Sequence, residues 1–161
     1  MDQRPDPRMN RPDQRRRRLL ATGVCAGALV IVRVATATPA GMQAALAQWT
    51  GGAAVRPGKV KLDVARLVDN GSTVPVTVTV DSPMTANNHV MAIALFNDRN
   101  PLPDVAHFTL GPRAGKAAVA TRIRLATSQN LLAVAKLSDG TYWSHTVDVV
   151  VTLAACIEGD G

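Results

Sequence analysis

The sequence predicts an all-β protein, an antiparallel β-sandwich, and three observations lead there. Val74, Val76, Val78 and Val80 fall on one side of a strand while Pro75, Thr77 and Thr79 fall on the other, the period of a half-buried strand. Turn-forming residues at Asn97 to Pro103, Gly111 to Gly115 and Asp139-Gly140 divide the chain at short intervals. No alternation of strand and helix patterns is present, which excludes a parallel βαβ sheet. The class these features define is the immunoglobulin-like sandwich of about seven short strands.

Taken in order, the chain opens on a basic segment. Residues 1–18 hold seven Arg against three Asp. Fourteen mostly apolar residues follow, Leu19 to Val32, fewer than the roughly 20 that span a bilayer core, so no stable membrane anchor is expected. A basic region, a short apolar region and small residues afterwards make a secretory signal. Its cleavage is expected after Ala45-Leu46-Ala47, with Ala35-Thr36-Ala37 as second choice. Arg15-Arg16-Arg17-Arg18-Leu19-Leu20 reads as a twin-arginine signal, the bacterial route for proteins exported already folded, which places the chain in the periplasm.

Residues 1–47 are thus assigned to the signal, 48–58 to a flexible lead-in without period, and 59–153 to the sandwich. Within the sandwich, Lys59 to Val68 reads as a strand followed by a helical turn, because Val60, Leu62 and Val64 alternate while Val60, Val64, Leu67 and Val68 also fit a helix face. Val74–Val80 is a strand, expected at a sheet edge or with Pro75 near its start, since proline cannot donate to the ladder. Further strands are expected at Val90 to Phe96, Val105 to Leu110, Ala117 to Ala126, Leu131 to Leu137 and Tyr142 to Leu153. In Ala117 to Ala126, Val119, Thr121, Ile123 and Leu125 share one face, and Ala118, Ala120, Arg122 and Arg124 take a solvated one.

Composition narrows the function classes. A chain of 161 residues with 47% hydrophobic and 19% charged residues is globular and about one domain long. The net charge of +6 is concentrated in the leader: from residue 48 onward, ten Lys and Arg face nine Asp and Glu. With five aromatic residues in all, the core rests on Val, Ile, Leu and Ala. Neither a basic fold nor a base-stacking platform is available, so nucleic acid is not expected as a partner.

Chemistry-bearing residues are few. Cleavage would remove Cys25 and leave Cys156 unpaired in an oxidising compartment, where a lone thiol calls for reactivity, adduct formation or pairing between chains. His89, His107 and His145 are scattered and read as surface or second-layer residues. The alternative is a copper site from His89, Met91 and Met84, the soft and imidazole ligands such a metal takes. Ser144, His145 and Asp148 resemble a hydrolase set in composition only, because neighbours on one strand point to opposite faces. Arg113 and Lys116 lie in a basic turn without P-loop spacing, and Asn70-Gly71-Ser72 is explained by a turn. No cofactor, metal or catalytic residue is assigned, and a purely structural interaction module is a further alternative.

Several pieces, in order, resemble the SoxY family, the sulfur-carrier subunit of the bacterial thiosulfate-oxidising system. They run from Asp69-Asn70-Gly71-Ser72-Thr73-Val74-Pro75 through Asp81-Ser82-Pro83-Met84-Thr85, Asn100-Pro101-Leu102-Pro103, Thr121-Arg122-Ile123-Arg124-Leu125 and Ser138-Asp139-Gly140 to a Val-rich strand and a cysteine near the terminus. The resemblance implies a carrier and not an enzyme, paired as a heterodimer with a SoxZ-like subunit. It implies that Cys156 holds the substrate covalently as a cysteine S-thiosulfonate while separate haem, dimanganese and molybdenum enzymes act on it. The arm would be residues 154–161. It departs from the family's Gly-Gly-Cys-Gly-Gly, with Ala154, Ala155, Ile157, Glu158 and Gly159 around Cys156, so it has less backbone freedom.

A thiol on such an arm would reach about 10 Å past the last apolar strand residue, Leu153, at 3.3 to 3.6 Å per residue. The thiolate is the reactive form, and Glu158, Asp160 and the terminal carboxylate disfavour it, so activation is expected from a partner enzyme's site.

Overall fold

The computed structural model describes residues 38–153. One α-helix, α1 (Pro39–Thr50), precedes nine strands: β1 (Val55–Pro57), β2 (Val60–Asp63), β3 (Leu67–Asn70), β4 (Val74–Val80), β5 (Val90–Asn97), β6 (Asp104–Thr109), β7 (Ala118–Ile123), β8 (Gln129–Leu137) and β9 (Tyr142–Leu153). The larger sheet has the order β1-β9-β8-β5-β6, with β3 also pairing β9, and the smaller has the order β2-β4-β7. The ladders β9-β8, β8-β5 and β5-β6 are antiparallel, as are both ladders of the small sheet. β1 and β3 run parallel to β9. The predicted sandwich is present, with two short strands more than the seven expected.

The valine alternation of β4 does what its period requires. Val74, Val76, Val78 and Val80 are buried and meet Ile93, Leu95, Leu131, Ala133, Val147 and Val149 of the opposite sheet. Each such side chain contributes about 1.5–3 kcal/mol on leaving water. β4 is nevertheless the middle strand of its sheet, not an edge. Val80 N–H donates to Ala117 on the β7 side and Asp81 N–H to Lys59 on the β2 side, so Pro75 turns its nitrogen toward β2. β2 has already ended there, since its last residue, Asp63, lies opposite Thr77. The missing donor therefore has no acceptor to disappoint.

Two readings of the sequence need correction. The helical turn expected after Val64 is a strand instead, because the edge of β9 offers a ladder to Leu67–Asn70 and one more ladder outweighs a weak helical period. The stretch 48–58, read as a lead-in, carries the end of α1 and the whole of β1, which pairs with Tyr142, Trp143 and Ser144.

α1 is built from local signals. Thr38 is extended (φ −129°, ψ 162°) and its hydroxyl accepts from Gly41 N–H at 3.0 Å, and Pro39 opens the first turn. At the other end Gly51 takes φ 65°. Its N–H and that of Gly52 donate to Gln48 O and Ala47 O, the paired capping of a Schellman motif. Met42, Ala45, Leu46 and Trp49 lie on Ala94, Phe96, Leu132, Val134 and Tyr142. These are the outward residues of β5, β8 and β9, so the central strands are covered on both faces. That double cover is why Ile93-Ala94-Leu95-Phe96 and Leu131 to Ala135 read as unbroken apolar runs.

Candidate functional site

β9 is the element that leads to the assigned cysteine, and its hold on the body sets where any arm begins. Along one side it pairs with β8 from Lys136↔Tyr142 to Gln129↔Val149. Along the other it takes β1 at Tyr142–Ser144 and β3 at Leu67↔Val150, Val68↔Val151 and Asn70↔Leu153. Between these, Leu62 N–H donates to His145 Nδ1 at 3.0 Å, joining β9 to the smaller sheet. Where β8 has ended, a side chain continues its work: Val151 N–H donates to Ser128 Oγ at 2.9 Å. On the opposite edge Val150 N–H donates to Arg66 O at 2.8 Å, and Thr152 Oγ1 donates to Asp69 O at 3.0 Å. The strand is held on both sides as far as Val151 and on the β3 side to its last residue.

The end of the sandwich from which β9 leaves is tied by amide side chains. Asn100 donates through Nδ2 to Arg124 O at 2.8 Å, and its Oδ1 accepts from Ala126 N–H at 2.9 Å and from Gln129 Nε2 at 2.8 Å. Asn100 N–H in turn donates to Asn97 Oδ1 at 3.0 Å. Asp98, buried, accepts from Asn130 N–H and Asn130 Nδ2, both at 2.9 Å. Leu125 N–H donates to Gly71 O at 2.8 Å. These bonds explain why β7 stops at Ile123 instead of running to Ala126: side chains and the Gly71 turn take the main-chain groups that a ladder would have used. The sequence reading quoted Asn100 only as part of a resemblance. Its brace could have been suspected from an amide set between turn residues, which bonds backbone readily.

Cys156, three positions beyond Leu153, lies outside the described residues, as do Ala154, Ala155, Ile157, Glu158 and Gly159. Cys25 and the leader up to residue 37 lie outside them too. The residues of the alternative metal set are each otherwise engaged or exposed. Met84, at φ 51°, is buried, and its sulfur accepts from Val90 N–H at 3.4 Å. His89 Nδ1 is engaged with Thr85 O at 3.2 Å, and Met91 is solvent-facing. His107 Nε2 is 3.1 Å from Asp104 Oδ1. Among the described residues no group of three or more His, Cys, Asp or Glu comes together, and no helix is long and apolar enough to cross a membrane. Ser144 Oγ lies 3.5 Å from Arg56 O while His145 Nδ1 serves Leu62, so the two do not act as a nucleophile and base.

A comparison with protein families matches residues 46–156 to the sulfur oxidation protein SoxY. The chain belongs to the SoxY family. SoxY membership assigns it to sulfur oxidation. The sulfur carrier protein SoxY from Chlorobium limicola f thiosulfatophilum superposes with a TM-score of 0.60 at 28% identity, covering 71% of this chain and 98% of that one. The superoxide reductase (neelaredoxin) from Ignicoccus hospitalis gives 0.52 at 19% identity over 58% of this chain and 80% of that one. The superoxide reductase from Nanoarchaeum equitans gives 0.51 at 11% over 60% and 100%. At those identities the reductases share the sandwich and nothing more is drawn from them. No match was found among curated protein sequences.

Proposed function

We propose that this chain is an exported periplasmic carrier that holds a thiosulfate-derived sulfur species covalently on Cys156 and presents it to partner enzymes. The observation that carries the reading is the hold on β9. A strand gripped on both edges as far as Val151 and on the β3 edge through Leu153, with a cysteine three residues further on, gives a firm base and a short tether of about 10 Å. Tethering keeps an intermediate at high effective concentration between successive enzymes.

The loading step has a definite balance. The Cys156 thiol gives up its proton, its sulfur bonds to the sulfane sulfur of thiosulfate, and two electrons leave. The electron acceptor is the haem enzyme that family resemblance supplies. Dimanganese and molybdenum enzymes then act on the adduct, and this chain contributes no catalytic group. A SoxZ-like subunit is the proposed partner. Support for a protein contact beside the arm root comes from Leu67 and Val150, register partners that leave 63% and 46% of their surfaces open.

The test is the intact mass of the chain from thiosulfate-grown cells, before and after a thiol reductant, in wild type and Cys156→Ser. Reductant-labile sulfur adducts on the wild type alone are expected. Adducts that persist in Cys156→Ser, or none on either, would reject the carrier reading.

A further inference from the structure

We propose that the leader is removed at the Ala37–Thr38 bond, so that the exported protein begins at Thr38 and keeps α1 whole. The inference rests on the export reading above and goes beyond it by naming the processing site. Both Ala35-Thr36-Ala37 and Ala45-Leu46-Ala47 have the small residues a signal peptidase accepts, and the sequence alone ranks the second higher. The fold reverses that order.

Hydrolysis adds water across one peptide bond, and the peptidase must hold the chain extended, with main-chain groups free to pair with it. Thr38, on the leaving-amine side of the bond, is extended at φ −129° and ψ 162°, and its own carbonyl, which is not the one attacked, accepts from Met42 N–H at 2.8 Å. Ala47 does not. It lies in the last turn of α1, and the carbonyl that would be attacked already accepts from Gly52 N–H at 2.9 Å and lies 3.4 Å from Thr50 Oγ1. A chain crossing the membrane already folded meets the peptidase with this helix formed.

The sheet beneath gives an independent reason. Cleavage after Ala47 would carry off Met42, Ala45 and Leu46, which cover Ala94, Phe96, Leu132 and Val134. Phe96, Ala94 and Val134 are fully buried, and of the residues that cover them in that cluster only Trp49, Val55 and Tyr142 would remain. Cleavage at Thr38 removes nothing from this layer, because the helix and its capping hydroxyl both lie on the retained side.

The experiment is N-terminal sequencing and intact mass of the full chain exported by a bacterial host with a twin-arginine pathway. A mature chain starting at Thr38 is expected. Ala37→Gln, which places a large residue beside the scissile bond, is expected to abolish this cleavage and accumulate precursor at the membrane. Ala47→Gln, on the exposed side of α1, is expected to leave processing unchanged. A mature chain starting at Gln48, ten residues shorter, or a block by Ala47→Gln and not by Ala37→Gln, overturns the proposal. A wild-type chain that stays uncleaved in the cytoplasm overturns the export reading and this site with it.

Discussion

The hydroxyl of Ser128 accepts the Val151 N–H at 2.9 Å, two residues past Val149, where β8 stops pairing with β9. A side chain thus extends the ladder toward the arm root. Ser128→Ala leaves that N–H without its partner and is expected to destabilise the fold by about 1 kcal/mol. The more telling readout is amide exchange: Val151 should exchange faster while Val147 and Val149 keep their protection. Unchanged exchange at Val151 would show that β3 alone holds the strand end.

Asn100 braces two loops through three side-chain hydrogen bonds, to Arg124, Ala126 and Gln129. Asn100→Ala strands those groups, one of them on the buried Gln129, and is expected to cost about 2–3 kcal/mol. The midpoint of thermal unfolding should fall by roughly 8–12 °C, at about 4 °C per kcal/mol for a domain of this size. Asn100→Asp, which keeps the acceptor and loses the donor, should fall between the two.

Met42 is the most buried apolar residue of α1 and sits over Phe96 and its neighbours. Met42→Ala is expected to cost about 2 kcal/mol or more. A chain shortened to begin at Gln48 should lose more, and should bind an apolar-surface dye that the chain beginning at Thr38 does not. Trp49 reports the same event, since its ring lies 5.5 Å from Tyr142 and 6.1 Å from Phe96, and its emission should shift to the red when the helix is cut.

Asp139 opens the turn from β8 to β9. The Thr141 hydroxyl donates to its Oδ1 at 2.7 Å and the Thr141 N–H at 2.9 Å. These two bonds, with Lys59 nearby, hold its carboxyl below the ordinary 3.8. A carboxyl depressed in the folded state adds stability above its unfolded pKa and loses it as pH falls through the folded one. Wild type should therefore melt higher than Asp139→Asn at pH 7, and the gap should close as the pH drops below 3.8. A gap that is flat with pH would assign the effect to turn geometry and not to charge.

Glu158 and Asp160 flank Cys156 with negative charge, which disfavours the thiolate. Alkylation of Cys156 by iodoacetamide at neutral pH is expected to run no faster than that of an unstructured cysteine peptide. Replacing both acids by their amides should speed it. A rate well above the peptide's would mean that the protein activates its own thiol.

Strand positions were legible wherever burial is one-sided. Val74–Val80 and Tyr142–Leu153 have the bounds that alternation marks, because a period of two leaves no second way to bury every valine. The candidate cysteine, Cys156, is a sequence assignment only, being the one thiol beyond residue 47, and it lies outside the described residues. The braces at the end of the sandwich were not legible, since Asn100, Ser128 and Asp98 act on residues 20 or more positions away. An amide or hydroxyl in a turn looks the same whether it braces the fold or faces water.

Sequence by itself determined the all-β class, the valine-rich strands β4 and β9 and the family, and it named the cysteine on which the proposed function rests. Each follows from local residue order, from periodicity or from a motif. Tertiary structure alone decided that β3 is a strand, that β4 is central despite Pro75, and that α1 belongs to the folded body. In those three cases local preference was weak or divided, and the decision came from what a distant segment offered: an open edge on β9, the end of β2 opposite Thr77, and an apolar outer face on β5 and β8 that required a cover.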